Sequence, residues 1–79
     1  MDQDDVALKL SRDEALVLFE WLGRTDELTN HFGDLVEDQA EQRVLWDLTC
    51  LLERELVEPF EPNYEELVKQ ARSRVRDDD

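Results

Sequence analysis

The chain has 79 residues, 22 of them acidic and 9 basic, which gives a net charge of −13. This length allows one small core, so we expect a single domain over residues 1–79, and one cysteine with one histidine suggests no disulfide, metal or other cofactor. The negative charge argues against direct binding to nucleic acid or anionic lipid. No apolar run reaches the roughly 18–20 residues of a membrane span, and the acidic start differs from a basic secretory signal. We therefore expect a cytoplasmic protein without a membrane partner.

Three explanations for the acidity stay open. The chain is a mimic of duplex DNA, an acidic partner for a basic surface, or a protein adapted to a salty cytosol. The composition favours this halophilic adaptation, because Lys9 and Lys69 are the only lysines against seven arginines and the acids are scattered along every segment.

The two ends of the chain are predicted to contribute little regular structure. Residues 1–5 and 77–79 are acidic and lack apolar anchors, so we expect them to be disordered. Between residue 5 and the first helix, Val6–Leu10 alternates apolar and other residues, which predicts a short strand-like segment. Since no second strand follows, this segment is either an extended lead-in or pairs with the same segment of another copy.

A first helix is predicted over residues 12–22. Ser11 and Glu14 have the spacing of a capping box, in which each side chain bonds the backbone N–H of the other residue. Gly23 is the predicted stop, because glycine adopts the left-handed conformation that ends many helices. The segment 24–38 gives a weaker pattern, and we expect one short turn capped by Thr25-Asp26-Glu27 and broken at Gly33-Asp34.

A second helix is predicted over residues 38–57, ended by Pro59 because the residue before a proline is disfavoured in helical conformation. Its core stripe has apolar residues at three- and four-residue spacings. The stripe consists of Ala40, Val44, Leu45, Leu48, Leu51, Leu52 and Leu56.

A third helix is predicted over residues 63–76. It starts at a capping pattern formed by Asn63 and Glu66 and carries a single apolar stripe. Together the three helices predict an all-α fold, a small three-helix bundle with the short strand-like segment at its N-terminus.

The stretch from Leu10 through Val75 also carries short motifs, namely Glu20-Trp21-Leu22, Ala40-Glu41, Leu52-Glu53 and Pro62-Asn63-Tyr64. With these motifs it resembles small uncharacterised helical proteins of bacteria or archaea. The resemblance covers most of the chain and implies no activity and no site residues.

The residues that could act as nucleophiles or bases do not form a catalytic pattern. The candidates are Cys50, His31, Ser11 and Ser73, and none has a base or ligand companion at a useful spacing. Cys50 is placed among leucines, where a thiol usually acts as a small hydrophobe. We therefore expect a protein that is not an enzyme.

Glu55 falls within the apolar arc of the second helix. A buried glutamate there would need a cation such as Arg72 or Arg12, or its pKa would rise. The favoured alternative is that the helix end has left the core and Glu55 reaches water.

Several apolar residues lie off the core stripes, and we predict that they form an interface. They are Val17, Trp21, Trp46, Cys50 and Val57. In one interpretation the second helix is central in the bundle and buries apolar residues on both sides; in the other, the surplus is an intermolecular patch.

These patterns favour a noncatalytic, acidic helical module for protein–protein interaction, such as a small adaptor, a regulator or an antitoxin-like neutraliser. We expect a homodimer that binds a further protein. The alternatives are an acidic DNA mimic that inhibits a DNA-binding protein and a small subunit of an enzyme.

Overall fold

The computed structural model describes residues 5–77, so residues 1–4 and 78–79, predicted to be disordered, lie outside it. Three α-helices form the fold: α1 (Arg12–Leu28), α2 (Gln39–Glu55) and α3 (Tyr64–Asp77), with a 3-10 turn at Glu58–Phe60. The predicted all-α three-helix bundle is confirmed. Within the described residues Val6–Leu10 has no regular secondary structure, so the strand predicted there is not formed by a single chain.

The start of α1 is the predicted capping box. The Ser11 hydroxyl accepts from the Glu14 N–H at 3.0 Å, and the Glu14 carboxylate accepts from the Ser11 N–H at 2.8 Å. The predicted stop at Gly23 is wrong, because α1 continues for five further residues. Gly23 keeps a right-handed backbone, and an ion pair between Glu20 and Arg24 supports the helix across it. A glycine inside a helix costs only about 1 kcal/mol, which neighbouring contacts can offset.

The helix ends instead at three consecutive left-handed residues that are not glycine. Asn30, His31 and Phe32 have φ angles of 53°, 58° and 69°. The His31 N–H donates to the Asp26 carbonyl at 2.8 Å, the long bond that closes a Schellman cap with Asn30 in the left-handed position. The short turn predicted at Thr25-Asp26-Glu27 is therefore wrong, since these residues belong to α1.

The bounds of α2 lie close to the prediction. The Asp38 carboxylate accepts from the Ala40 N–H at 2.7 Å and caps the helix start. The helix ends at Glu55, two residues before the predicted end, because Leu56 turns to an extended backbone that keeps its side chain in the core. Val57 consequently lies outside α2.

Asp77, predicted to be disordered, is the last residue of α3.

The central helix is α1, which packs against both α2 and α3, whereas α2 and α3 scarcely touch. The interpretation that places α2 at the centre is therefore wrong: α2 has a helical neighbour on one side only. The buried hydrophobic core is small. It consists of Leu16, Leu22, Phe32, Leu52, Leu56, Val68 and Ala71.

Candidate interaction surface

The two tryptophans predicted to form an interface are both about half exposed, Trp21 at 45% and Trp46 at 42%. The Trp46 indole N–H donates to the Asp26 carboxylate at 3.4 Å, so Trp46 rests on the C-terminal half of α1. Trp21 and Asp26 are five residues apart, which is about 140° around a helix. Trp46 therefore contacts a different side of α1 from the one that carries Trp21.

The other predicted interface residues are divided between the core and the surface. Val17 is partly buried and packs against the core cluster. Cys50, one turn after Trp46 on α2, is exposed and free. Val57 is 62% exposed in the link that follows α2. The five predicted residues do not form one continuous patch.

The four candidate nucleophiles and bases are engaged separately. Ser11 caps α1, and the Ser73 hydroxyl bonds Asp77 within α3. The His31 imidazole lies 3.3 Å from the Asp26 carboxylate on the exposed turn after α1. None of these contacts includes Cys50, and the described residues do not bring Ser11, Ser73, His31 and Cys50 together at one site.

Glu55 is exposed, as the favoured interpretation predicts. The two arginines considered as its partners pair with other acids. Arg12 pairs with Glu58 at 2.9 Å, and Arg72 pairs with Glu20 at 2.9 Å. Residues 5–77 contain no group of three His, Cys, Asp or Glu side chains that could hold a metal ion.

Arginine–carboxylate pairs join the helices at their ends. The Arg74 guanidinium bonds both Asp13 oxygens, and these hydrogen bonds hold the pKa of Asp13 below its ordinary value while raising that of Arg74. Hydrogen bonds from Arg12 likewise lower the pKa of Glu58. These pairs fix α3 and the link after α2 against the start of α1.

A polar depression of about 460 Å³ lies between α1 and α3. Burial at its floor, with the Glu20 charge second, raises the pKa of the Tyr64 phenol. Its rim mixes three basic and three acidic side chains, so it offers no charge preference for a ligand. They are Arg24, Lys69, Arg72, Glu20, Glu65 and Glu66.

The largest departure from the predicted core lies on α2. Ala40, Val44, Leu48 and Leu51, which we name the α2 strip, follow one another along one side of the helix. Val44 is 62% and Leu51 53% exposed, Ala40 is exposed, and Leu48 is half-buried. The placement of Ala40, Val44 and Leu51 in the core is therefore wrong, because no helix covers this side of α2. Leu48, at the edge of the strip, packs against the core cluster as predicted.

Apolar depressions lie at both ends of the α2 strip. One, of about 450 Å³, is formed by the turn before α2 and by Ala40 and Val44. The other, of about 570 Å³, has Leu48 and Leu51 on one wall and the N-terminal segment on another. Exposed apolar residues of the loops extend the strip at its ends. They are Leu35 beside the first depression and Val6, Leu8 and Leu10 beside the second.

The width of the apolar arc could have revealed this surface. From Ala40 to Leu56 the predicted stripe covers about 160° of the helix circumference at about 100° per residue. A helix with one neighbour needs an apolar stripe only a little over 100° wide. The excess on one edge of the arc is the α2 strip.

No family model matches the chain, and neither a curated protein nor a solved structure matches it. In the described part of the chain, no helix is both long and apolar enough to cross a membrane.

Proposed function

We propose that the chain is a noncatalytic protein-interaction module, an acidic helical domain that acts as a small adaptor, regulator or antitoxin-like neutraliser of another protein. One observation carries the proposal: among residues 5–77, twelve large hydrophobic side chains are exposed, against seven hydrophobic residues in the core. Exposed apolar surface on this scale is typical of proteins that bind other proteins.

The exposed set includes both tryptophans, the residue type most enriched among the energetic centres of interfaces. The separate engagement of Ser11, Ser73 and His31 supports a noncatalytic role, because acyl or phosphoryl transfer needs such groups to converge. The charge of −13 favours a partner with a basic surface around an apolar centre.

The test is capture of a partner from a lysate of the native host at its own ionic strength. We expect the immobilised chain to retain one protein in stoichiometric amount, and Trp21→Ala or Trp46→Ala to weaken retention while the helical circular dichroism is kept. Glu53→Gln, a change at an exposed polar position of α2, is the matched control.

The two alternatives give different results in the same experiment. For a DNA mimic, the retained protein binds DNA and duplex DNA displaces the acidic chain from it. For an enzyme subunit, the retained protein changes its turnover when the chain is added. If no protein is retained above the level of an unrelated acidic protein, the proposed function is wrong.

A further inference from the structure

The α2 strip presents apolar side chains on a side of α2 that has no helical neighbour. Val44 is 62% and Leu51 is 53% exposed. The exposed loop residues Leu35, Val6 and Leu8 extend the apolar surface beyond the two ends of the strip. A continuous apolar surface of this kind is typical of a contact between proteins.

The strip has a large exposed side chain at one end and a small one at the other, so a second copy in the reverse orientation can place large against small. Leu51 is 53% exposed at one end, and the small residue Ala40 borders an apolar depression at the other. They are eleven residues apart, about 16 Å along the helix axis. When two α2 helices pack antiparallel about a two-fold axis between residues 45 and 46, Leu51 of each copy lies over Ala40 of the other.

The charges along the strip agree with the same arrangement. Arg43 and Asp47 lie one turn apart on one margin of the strip, and neither forms an ion pair within the described residues. When two helices pack antiparallel about a two-fold axis, this margin of one copy lies beside the same margin of the other copy. The order of the residues along the two margins is then opposite. Arg43 of one copy then lies within one residue, about 1.5 Å along the axis, of the position opposite Asp47 of the other copy, and the two pairs form symmetrically.

We infer that the α2 strip is a self-association surface, on which two copies of this chain pack α2 against α2 in antiparallel orientation. This inference rests on the proposed role as an interaction module and assigns one surface of it. The exposed tryptophans stay outside the α2 contact, so a dimer keeps apolar surface for a further protein.

The experiment compares two valines that are equally exposed at 62%, one in the strip and one outside it. Val44→Glu places a carboxylate in the α2 contact, whereas Val57→Glu adds the same charge elsewhere. By sedimentation equilibrium we expect a dimer for the wild-type chain, a dimer dissociation constant raised at least tenfold by Val44→Glu, and little change by Val57→Glu. Circular dichroism verifies that both variants remain helical.

A charge exchange tests the antiparallel arrangement itself. Arg43→Glu and Asp47→Arg should each weaken the dimer, and the double variant should restore it, because the exchanged charges again face one another. Since both copies carry a charge of −13, raising the salt concentration should strengthen the dimer, whereas salt weakens binding to a basic partner.

Three results would overturn the inference: a wild-type chain that is monomeric at millimolar concentration in low and high salt, a dimer that survives Val44→Glu, or a double exchange that fails to restore association. These results are distinct from failure of the proposed function. A monomer that still captures a host protein would refute the α2 dimer but not the proposed interaction module. A dimer that captures no host protein would refute the interaction module but not the α2 dimer.

Discussion

Arg74 near the end of α3 donates two hydrogen bonds to Asp13 at the start of α1, Nε to Oδ2 at 2.8 Å and Nη2 to Oδ1 at 2.9 Å. The pair joins residues 61 positions apart in sequence. Because the paired guanidinium stabilises the charged carboxylate, the pKa of Asp13 lies below its ordinary value of 3.8.

This pair predicts a pH-dependent loss of stability in Asp13→Asn. A carboxyl whose pKa is lowered by folding stabilises the folded state above its ordinary pKa, and the contribution is lost as the pH falls through the lowered value. Asp13→Asn should therefore be less stable than the wild type at pH 7, and the difference should shrink as the pH falls below 3.8 through the lowered pKa of Asp13. Urea denaturation over a series of pH values from 7 downward measures the difference.

The control for this prediction is Asp34→Asn, which removes a carboxylate that forms no ion pair within the described residues. We expect this variant to match or slightly exceed the wild type at pH 7, because it lowers the excess negative charge. Equal losses in both variants would contradict a specific role for the Asp13–Arg74 pair.

Gly23→Ala should stabilise the protein. Gly23 lies inside α1 with a right-handed backbone, and an added Cβ would meet no atom within 4 Å. Replacing such a glycine raises the free energy of unfolding by about 0.5–1 kcal/mol, which corresponds to a rise of several degrees in Tm. Thermal unfolding followed by circular dichroism measures this change.

Gly33→Ala is the matched comparison. There the added Cβ would lie 3.0 Å from the Asn30 carbonyl oxygen, within a turn held by its own hydrogen bonds. We expect a smaller gain or a loss of stability. If Gly23→Ala destabilised the protein, α1 would end at Gly23 in solution.

The left-handed turn after α1 should be sensitive to branched side chains. Asn30 has a φ of 53° and occupies the position where a Schellman cap usually has glycine. Asn30→Val should lower the free energy of unfolding by roughly 1–2 kcal/mol, because a β-branched residue is strained in this conformation. Asn30→Gly should be neutral or stabilising, and equal effects of the two changes would contradict the strain.

Salt should raise the stability of the folded chain. The chain has 22 acidic residues and 9 basic ones, so the excess negative charges repel one another. Counterions screen exposed charges beyond about 10 Å at 0.1 M salt. Going from low to molar sodium chloride should raise Tm by about 5 °C, a change equivalent to about 1 kcal/mol for a domain of this size. Val44→Glu allows the same measurement on a monomer, where a flat or falling Tm would remove the main support for halophilic adaptation.

The beginnings of α1 and α2 could be predicted from the sequence because both depend on local chemistry. Ser11 with Glu14 and Asp38 with Ala40 bond within four residues of one another. The end of α1 could not be predicted this way, because Asn30–Phe32 adopts a left-handed backbone that burial of Phe32 stabilises. Local propensity alone favoured Gly23.

The candidate surface shows a different limit. An apolar residue at a helical spacing is predicted to be buried, but the pattern does not state how many helices are available to cover it. Leu52 and Val44 belong to the same predicted stripe, and only Leu52 faces α1. The number of neighbours of α2 is a property of the whole arrangement of helices, so the sequence pattern alone predicts that Val44 and Leu51 are buried.

The central position of α1 also decides how the domain should open. Since α1 is the main helical neighbour of α2, α2 can detach without breaking the α1–α3 contact and its ion pairs at Asp13 and Glu20. Unfolding of α2 by itself should then require less free energy than global unfolding of the domain. The backbone amides of α2 should exchange with deuterium before those of α1 and α3, and association of two α2 helices should slow that exchange.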